Sequence, residues 1–128
     1  MEGNVTRKVL RRDLPFTQLR LEATRLGEDW HLLLYGGERP HLGCCVLAVP
    51  RPSLTGDGSV SATASVLNVT GHKDEALCRL VAQEVAARTG AVAVCTGGVH
   101  LDGITEGQIG QLRRAALALA RAVGRCPE

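Results

Sequence analysis

Residues 59–95 run SVSATASVLNVTGHKDEALCRLVAQEVAARTGAVAVC, and the change of period inside this stretch decides the fold. Its first part, residues 59–69, alternates small polar with apolar residues, the period of two expected of a half-buried strand. From Asp74 to Arg88 the apolar Leu77, Leu80, Val81 and Val85 fall at helical spacing, and Gly90 ends the pattern. Asp74 and Glu75 stand in the first turn, where negative charge meets the positive end of the helix dipole. Residues 91–95 are short and continuously apolar, as in a strand that is central in a sheet or covered on both faces. Strand, helix and strand in this order predict a right-handed crossover joining parallel strands.

Upstream, the chain is strand-like. Residues 17–26 alternate, with Leu19, Leu21 and Ala23 on one face. Residues 30–35 follow the turn at Gly27-Glu28-Asp29. After the break at Gly36–Pro40, the apolar run 42–49 stops at Pro50, which predicts an antiparallel pair with 30–35. A Pro/Gly/Ser-rich loop fills 50–58. The basic run Arg7, Lys8, Arg11, Arg12 predicts a solvated edge strand, since charge guards such edges against further pairing. Downstream, Thr105 and Gln108 have capping-box spacing and open a helix with Ile109, Leu112, Ala116, Leu119 and Val123 on one face.

A chain of 128 residues fits one domain, taken as 1–128, with no room for a catalytic unit beside a separate cofactor unit. The net charge of +2 gives no steering towards a polyanion or a membrane surface. One Phe, one Trp and one Tyr cannot supply the stacking platforms of a single-stranded nucleic-acid site, so no nucleic-acid partner is expected. No apolar run approaches the roughly 20 residues of a membrane span. The start Met1-Glu2-Gly3-Asn4 has no basic region followed by an apolar stretch, so no signal peptide is expected. Cys44, Cys45, Cys78, Cys95 and Cys126 are odd in number and contain no CxxC pair. They are expected as reduced, mostly buried thiols in a cytoplasmic protein, with Cys126 the most open to oxidation.

The histidines carry the functional signal. His72 falls between the strand ending near Val69 and the helix beginning near Asp74, and His100 between the strand ending near Thr96 and the helix beginning at Thr105. A crossover puts both turns at one edge of the sheet, and an antiparallel strand 42–49 starts there with His41. Glycine or proline flanks each of them, in Pro40-His41-Leu42-Gly43, Gly71-His72-Lys73-Asp74 and Gly98-Val99-His100-Leu101-Asp102. Such flanks let backbone approach a ligand, and two helix starts aim free N–H groups at the same space, which suits a phosphate. Asp74 and Asp102 are placed to fix imidazole tautomers. His31 and Trp30, inside the strand 30–35, are taken as structural.

Two other readings stay open from the residues alone. Three neutral histidines can hold zinc with a fourth position free, as in a hydrolase, although there is no HExxH and only Asp74, Asp102 or Glu38 as a base. The sheet or the helix 105–124 can instead bind a protein partner, as in a pure assembly chaperone. Cys95 before Thr96-Gly97-Gly98 is a core cysteine rather than a nucleophile, and no GxSxG surrounds Ser61 or Ser65.

The segments GGERPHLGCCVLAVPRPS, SVLNVTGHKDEALCRLVAQEVA and VCTGGVHLDGITEGQI, in order from about Asp29 to Leu112, resemble blocks of the LpdD-type prenylated-flavin chaperones, accessory proteins of UbiD-type decarboxylases. The resemblance implies a non-enzymatic role: binding prenylated FMN and passing it to the apo-decarboxylase, with a flavin prenyltransferase as a second partner. It makes His41, His72, Lys73, Asp74, His100 and Asp102 the cofactor-binding candidates. It also implies an α/β fold like that of proteasome-assembly chaperones, a β-rich sheet sandwich of about five to six strands with two main helices, which often forms homodimers. Leu42, Leu67, Val99, Leu101 and Ile104 are the candidates for an apolar wall beside the ligand.

Overall fold

The computed structural model describes residues 5–69 and 72–124, apart from the side chains of His72 and Lys73. Alternating patterns produce five strands in succession: β1 (Val5–Leu14), β2 (Thr17–Leu26), β3 (Asp29–Gly37), β4 (Cys44–Pro52) and β5 (Val60–Asn68). The helix α1 (His72–Thr89), the strand β6 (Ala93–His100) and the helix α2 (Glu106–Ala122) follow. Six strands and two main helices match the expected α/β architecture. The strands form one mixed sheet in the order β1-β2-β3-β6-β4-β5.

Strand direction sets what meets at each edge. β1, β2 and β3 form an antiparallel meander; β3 runs parallel to β6, and β4 runs antiparallel to both β6 and β5. The ends of β3, β5 and β6 therefore share one edge with the start of β4. The crossover from β5 through α1 to β6 joins parallel strands, as the change of period predicts, with β4 lying between them.

One face of the sheet carries the core. Leu19, Leu21, Leu32, Leu34, Val46, Ala48, Ala93 and Cys95 point from it towards the helices. α1 lies over β4, β5 and β6, while α2 packs beside α1 and reaches β1 and β2. Because α1 meets sheet on one side and α2 on the other, its buried set is broad: Leu77, Cys78, Val81, Ala82, Val85 and Ala86. The basic run Arg7–Arg12 lies on β1, which is an edge strand as expected, and Arg7 is paired with Glu22 at 2.8 Å. Trp30 packs partly buried against the core with the Arg25 guanidinium 5.9 Å from its ring centroid, and His31 stands exposed on the opposite face.

Several boundaries differ from the sequence expectation. β3 and β4 do not pair, because β6 inserts between them. The link 38–43 has only to step across one intervening strand, about 10 Å at the usual strand spacing. β6 does not stop near Thr96 but runs through Gly97 and Gly98 to His100. Gly97 holds φ +129° where a Cβ would strike the Leu34 carbonyl, so glycine here marks close backbone approach inside a strand, not a turn. β4 continues past Pro50 to Pro52, since its pairing with β6 ends at Ala48 and the prolines have no ladder on that side to interrupt. α1 begins at His72, two residues earlier than expected.

Candidate functional site

The edge where β3, β5 and β6 end is built around Asp74. This first-turn residue of α1 is 5% exposed, and its carboxylate lies across two other elements. Oδ1 accepts a hydrogen bond of 2.9 Å from the Val99 backbone N–H in β6. Oδ2 lies 2.9 Å from His41 Nε2, at the start of the segment entering β4. The Gly43 position is as close as backbone can come, because a Cβ there would run into Asp74 Oδ2. Gly98 lies against the same carboxylate and His41. The Cys44 thiol donates to the Asp74 carbonyl at 3.3 Å. Two separate stretches of chain, 41–43 and 98–99, are thus tied to one buried carboxylate of α1.

His41 is held from inside and open outside. Its Nε2 is occupied by Asp74, and the outward Nδ1 is 3.4 Å from the Arg39 carbonyl, at the limit of hydrogen bonding. His100, the last residue of β6, stands next to it with ring centroids 6.3 Å apart and an interplanar angle of 81°. His100 Nε2 is 3.0 Å from Asp102 Oδ1 and 3.2 Å from a guanidinium nitrogen of Arg39. The edge therefore offers two imidazoles, one guanidinium and several carboxylate oxygens within one surface.

An apolar groove of about 210 Å³ opens beside it, lined by Leu42, Cys44, Cys45, Leu67, Asn68, Val69 and Thr96. Leu42, Leu67 and Val69 are 66%, 75% and 71% exposed, values that leave large apolar surface unpartnered next to the histidines. The Cys44 thiol adds no nucleophile here. Burial, with Cys78 beside it, pushes the Cys44 thiol far up, and a hydrogen bond with Cys95 followed by burial does the same for Cys78. Cys44, Cys78 and Cys95 are buried free thiols as expected, while Cys45 is only half-buried. Cys126 lies outside the described residues.

The sequence profile of the prenylated flavin chaperone LpdD-like domain matches residues 15–126. The chain belongs to that family. No curated protein matches the chain. Among solved structures, a chain of a chaperone complex for yeast 20S proteasome assembly is similar, with a TM-score of 0.56 over 94% of each chain at 15% identity. That likeness, at such low identity, is one of fold alone. No helix is long and apolar enough to cross a membrane among the described residues.

His41 and His100 meet at this edge, and Asp102 lies against His100 as its spacing suggests. Asp74 holds His41, thirty-three residues away in the chain. His72 and Lys73 stand in the first turn of α1 at the same edge, and their side chains lie outside the described residues. Of the expected wall, Leu42 and Leu67 line the groove, whereas Val99 is wholly buried and Leu101 and Ile104 pack against the core. Val99 turns inward because it shares the helix-facing side of β6 with Ala93 and Cys95. The pattern does not single out Arg39. The sequence signal was nonetheless there: a lone cation between Glu38 and Pro40-His41 in a glycine-bounded loop.

Proposed function

We propose that this chain is a non-enzymatic carrier that holds prenylated FMN at the His41–His100 edge and passes it to a UbiD-type decarboxylase. The observation that carries the reading is the family match over residues 15–126, whose fold brings His41, Asp74 and His100 to one edge beside an apolar groove. The donor set fits such a ligand. A flavin mononucleotide has a dianionic phosphate, a ring edge rich in hydrogen-bonding atoms and a broad apolar surface. Arg39, together with the helix start at His72 and Lys73, supplies positive potential for the phosphate. His41 and His100 offer ring nitrogens to the polar edge, and Leu42, Leu67 and Val69 shield the apolar part.

The groove is smaller than the roughly 300–1,000 Å³ pockets that enclose a drug-sized ligand. It receives one end of the ring system and leaves the remainder accessible, which suits a carrier that must surrender its cargo. The cofactor's chemistry serves the decarboxylase; the residues of this chain bind, orient and shield. The carrier acts in the cytoplasm as a homodimer, with a flavin prenyltransferase as donor and the apo-decarboxylase as acceptor.

The test is anaerobic titration with prenylated FMN, followed by transfer to apo-decarboxylase. His100→Ala is expected to weaken binding by about 1–3 kcal/mol, the loss of a buried hydrogen bond to the ligand, without a matching loss of fold stability. Lys73→Ala is expected to weaken binding of the phosphorylated ligand more than that of its dephosphorylated analogue. Binding and delivery by His100→Ala and His72→Ala at the wild-type level would remove the histidine edge as the site.

A further inference from the structure

The turn after β3 and the end of β6 bring together three potential metal ligands. One carboxylate oxygen each from Glu38 and Asp102 and one ring nitrogen of His100 lie within 4.8 Å of one another. The frame beneath them is regular backbone: Gly37 pairs with His100 in the sheet, and the Glu38 N–H donates to the His100 carbonyl at 2.8 Å. The backbones of two of the three ligand residues are therefore fixed to each other before any ion arrives.

The ring nitrogen of His100 is shared between an acceptor and a donor. Nε2 has one in-plane position, yet it faces an acceptor, Asp102 Oδ1 at 3.0 Å, and a donor, the Arg39 guanidinium at 3.2 Å. A protonated Nε2 serves Asp102 and confronts the guanidinium with another donor; an unprotonated one accepts from Arg39 and turns a lone pair towards the carboxylate. A metal ion bound by both Nε2 and the carboxylates satisfies the nitrogen and the acids at once, and Arg39 is the positive charge that stands beside that position now.

We propose that Glu38, His100 and Asp102 bind one divalent first-row transition-metal ion, with Arg39 as the internal cation that the ion displaces. One imidazole with two carboxylates suits Zn²⁺, Co²⁺ or Mn²⁺ better than the soft Cu(I), and three protein ligands leave positions open for an oxygen from solvent or from a phosphate. This set differs from a three-histidine site, since His41 Nε2 already belongs to Asp74. The exposure of Glu38 and Asp102 makes it an exchangeable site, not a structural one.

Because the inference concerns the protein without flavin, it stands or falls apart from the carrier reading. Chelator-treated protein is titrated with ZnCl₂ by calorimetry and with CoCl₂ by visible absorption. One equivalent is expected to bind, with no thiolate charge-transfer band in the near ultraviolet, which separates this set from Cys45. Glu38→Gln, His100→Gln and Asp102→Asn are each expected to weaken binding by about tenfold or more, since even indirect partners of a ligand cost that much. Arg39→Ala is expected to tighten binding, because the competing charge is gone, and His31→Gln on the open face to leave it unchanged. Absence of stoichiometric binding, a thiolate band, or unchanged affinity in the three ligand variants would overturn the proposal, as would weaker binding in Arg39→Ala.

Discussion

At the scale of the residue, Asp74 decides whether the edge exists. It is the one polar or charged side chain that is buried among the described residues, and each carboxylate oxygen has a partner on a different element. Buried polar groups are tolerated when satisfied and costly when one partner is removed. Asp74→Ala strands the buried Val99 N–H and frees the His41 ring, so a loss of about 1–3 kcal/mol in urea unfolding is expected. Asp74→Asn keeps an oxygen for Val99 and presents its amide N–H₂ to an unprotonated His41 Nε2, so the loss is expected to be clearly smaller. Equal losses in the two variants would mean that the negative charge, not the hydrogen-bond geometry, holds the edge.

At the scale of the element, α2 is the helix whose start is most fully specified. Thr105 Oγ1 accepts from the Gln108 N–H at 3.1 Å, and the Gln108 side chain accepts from the Thr105 N–H at 3.0 Å. Removing the cap with Thr105→Ala is expected to cost about 1 kcal/mol by thermal or urea unfolding, since the loss falls on the start of the helix. This box was legible because both residues lie in one local pattern, and so was β2, where alternation marks Thr17–Leu26 to the residue. What escaped depended on long-range pairing. Gly97-Gly98 carries the local signature of a turn, yet it lies inside β6, where the Leu34 backbone comes too close to Gly97, and the Asp74 and His41 side chains too close to Gly98, for any side chain. The insertion of β6 between β3 and β4 also has no local signal. The histidine edge was legible because strand direction alone brings chain ends together. The bond from Asp74 to His41 was not, because sequence neighbours are the natural partners to suppose until the fold is known.

At the scale of the whole molecule, the sheet has two unlike faces. The helices cover one; nothing described covers the other, where Leu33, Cys45, Leu47, Val49, Val94 and Leu67 form a central apolar band by the strand registers. Leu47 and Val49 are 43% and 45% exposed there. Both signs of charge rim the band: Arg7 pairs with Glu22, which also accepts from the Tyr35 hydroxyl at 2.8 Å and is held below the usual carboxylate range first by that bond and then by Arg7. Six strands about 4.8 Å apart and some nine residues long span an area on the order of 850 Å², close to what each partner buries in a standard interface. Two-fold pairing can set opposite rim charges against each other over a face of that size, so a second copy of this chain is the expected occupant. Sedimentation velocity at micromolar concentration should show a dimer. Leu47→Arg, which places a charge in the middle of the band without touching the core, should shift it to monomer while leaving the far-ultraviolet circular dichroism unchanged. A wild-type monomer would mean that another protein, such as the decarboxylase, covers the face. A dimer that survives Leu47→Arg would place the two-fold contact elsewhere, on the helices or on the basic edge of β1.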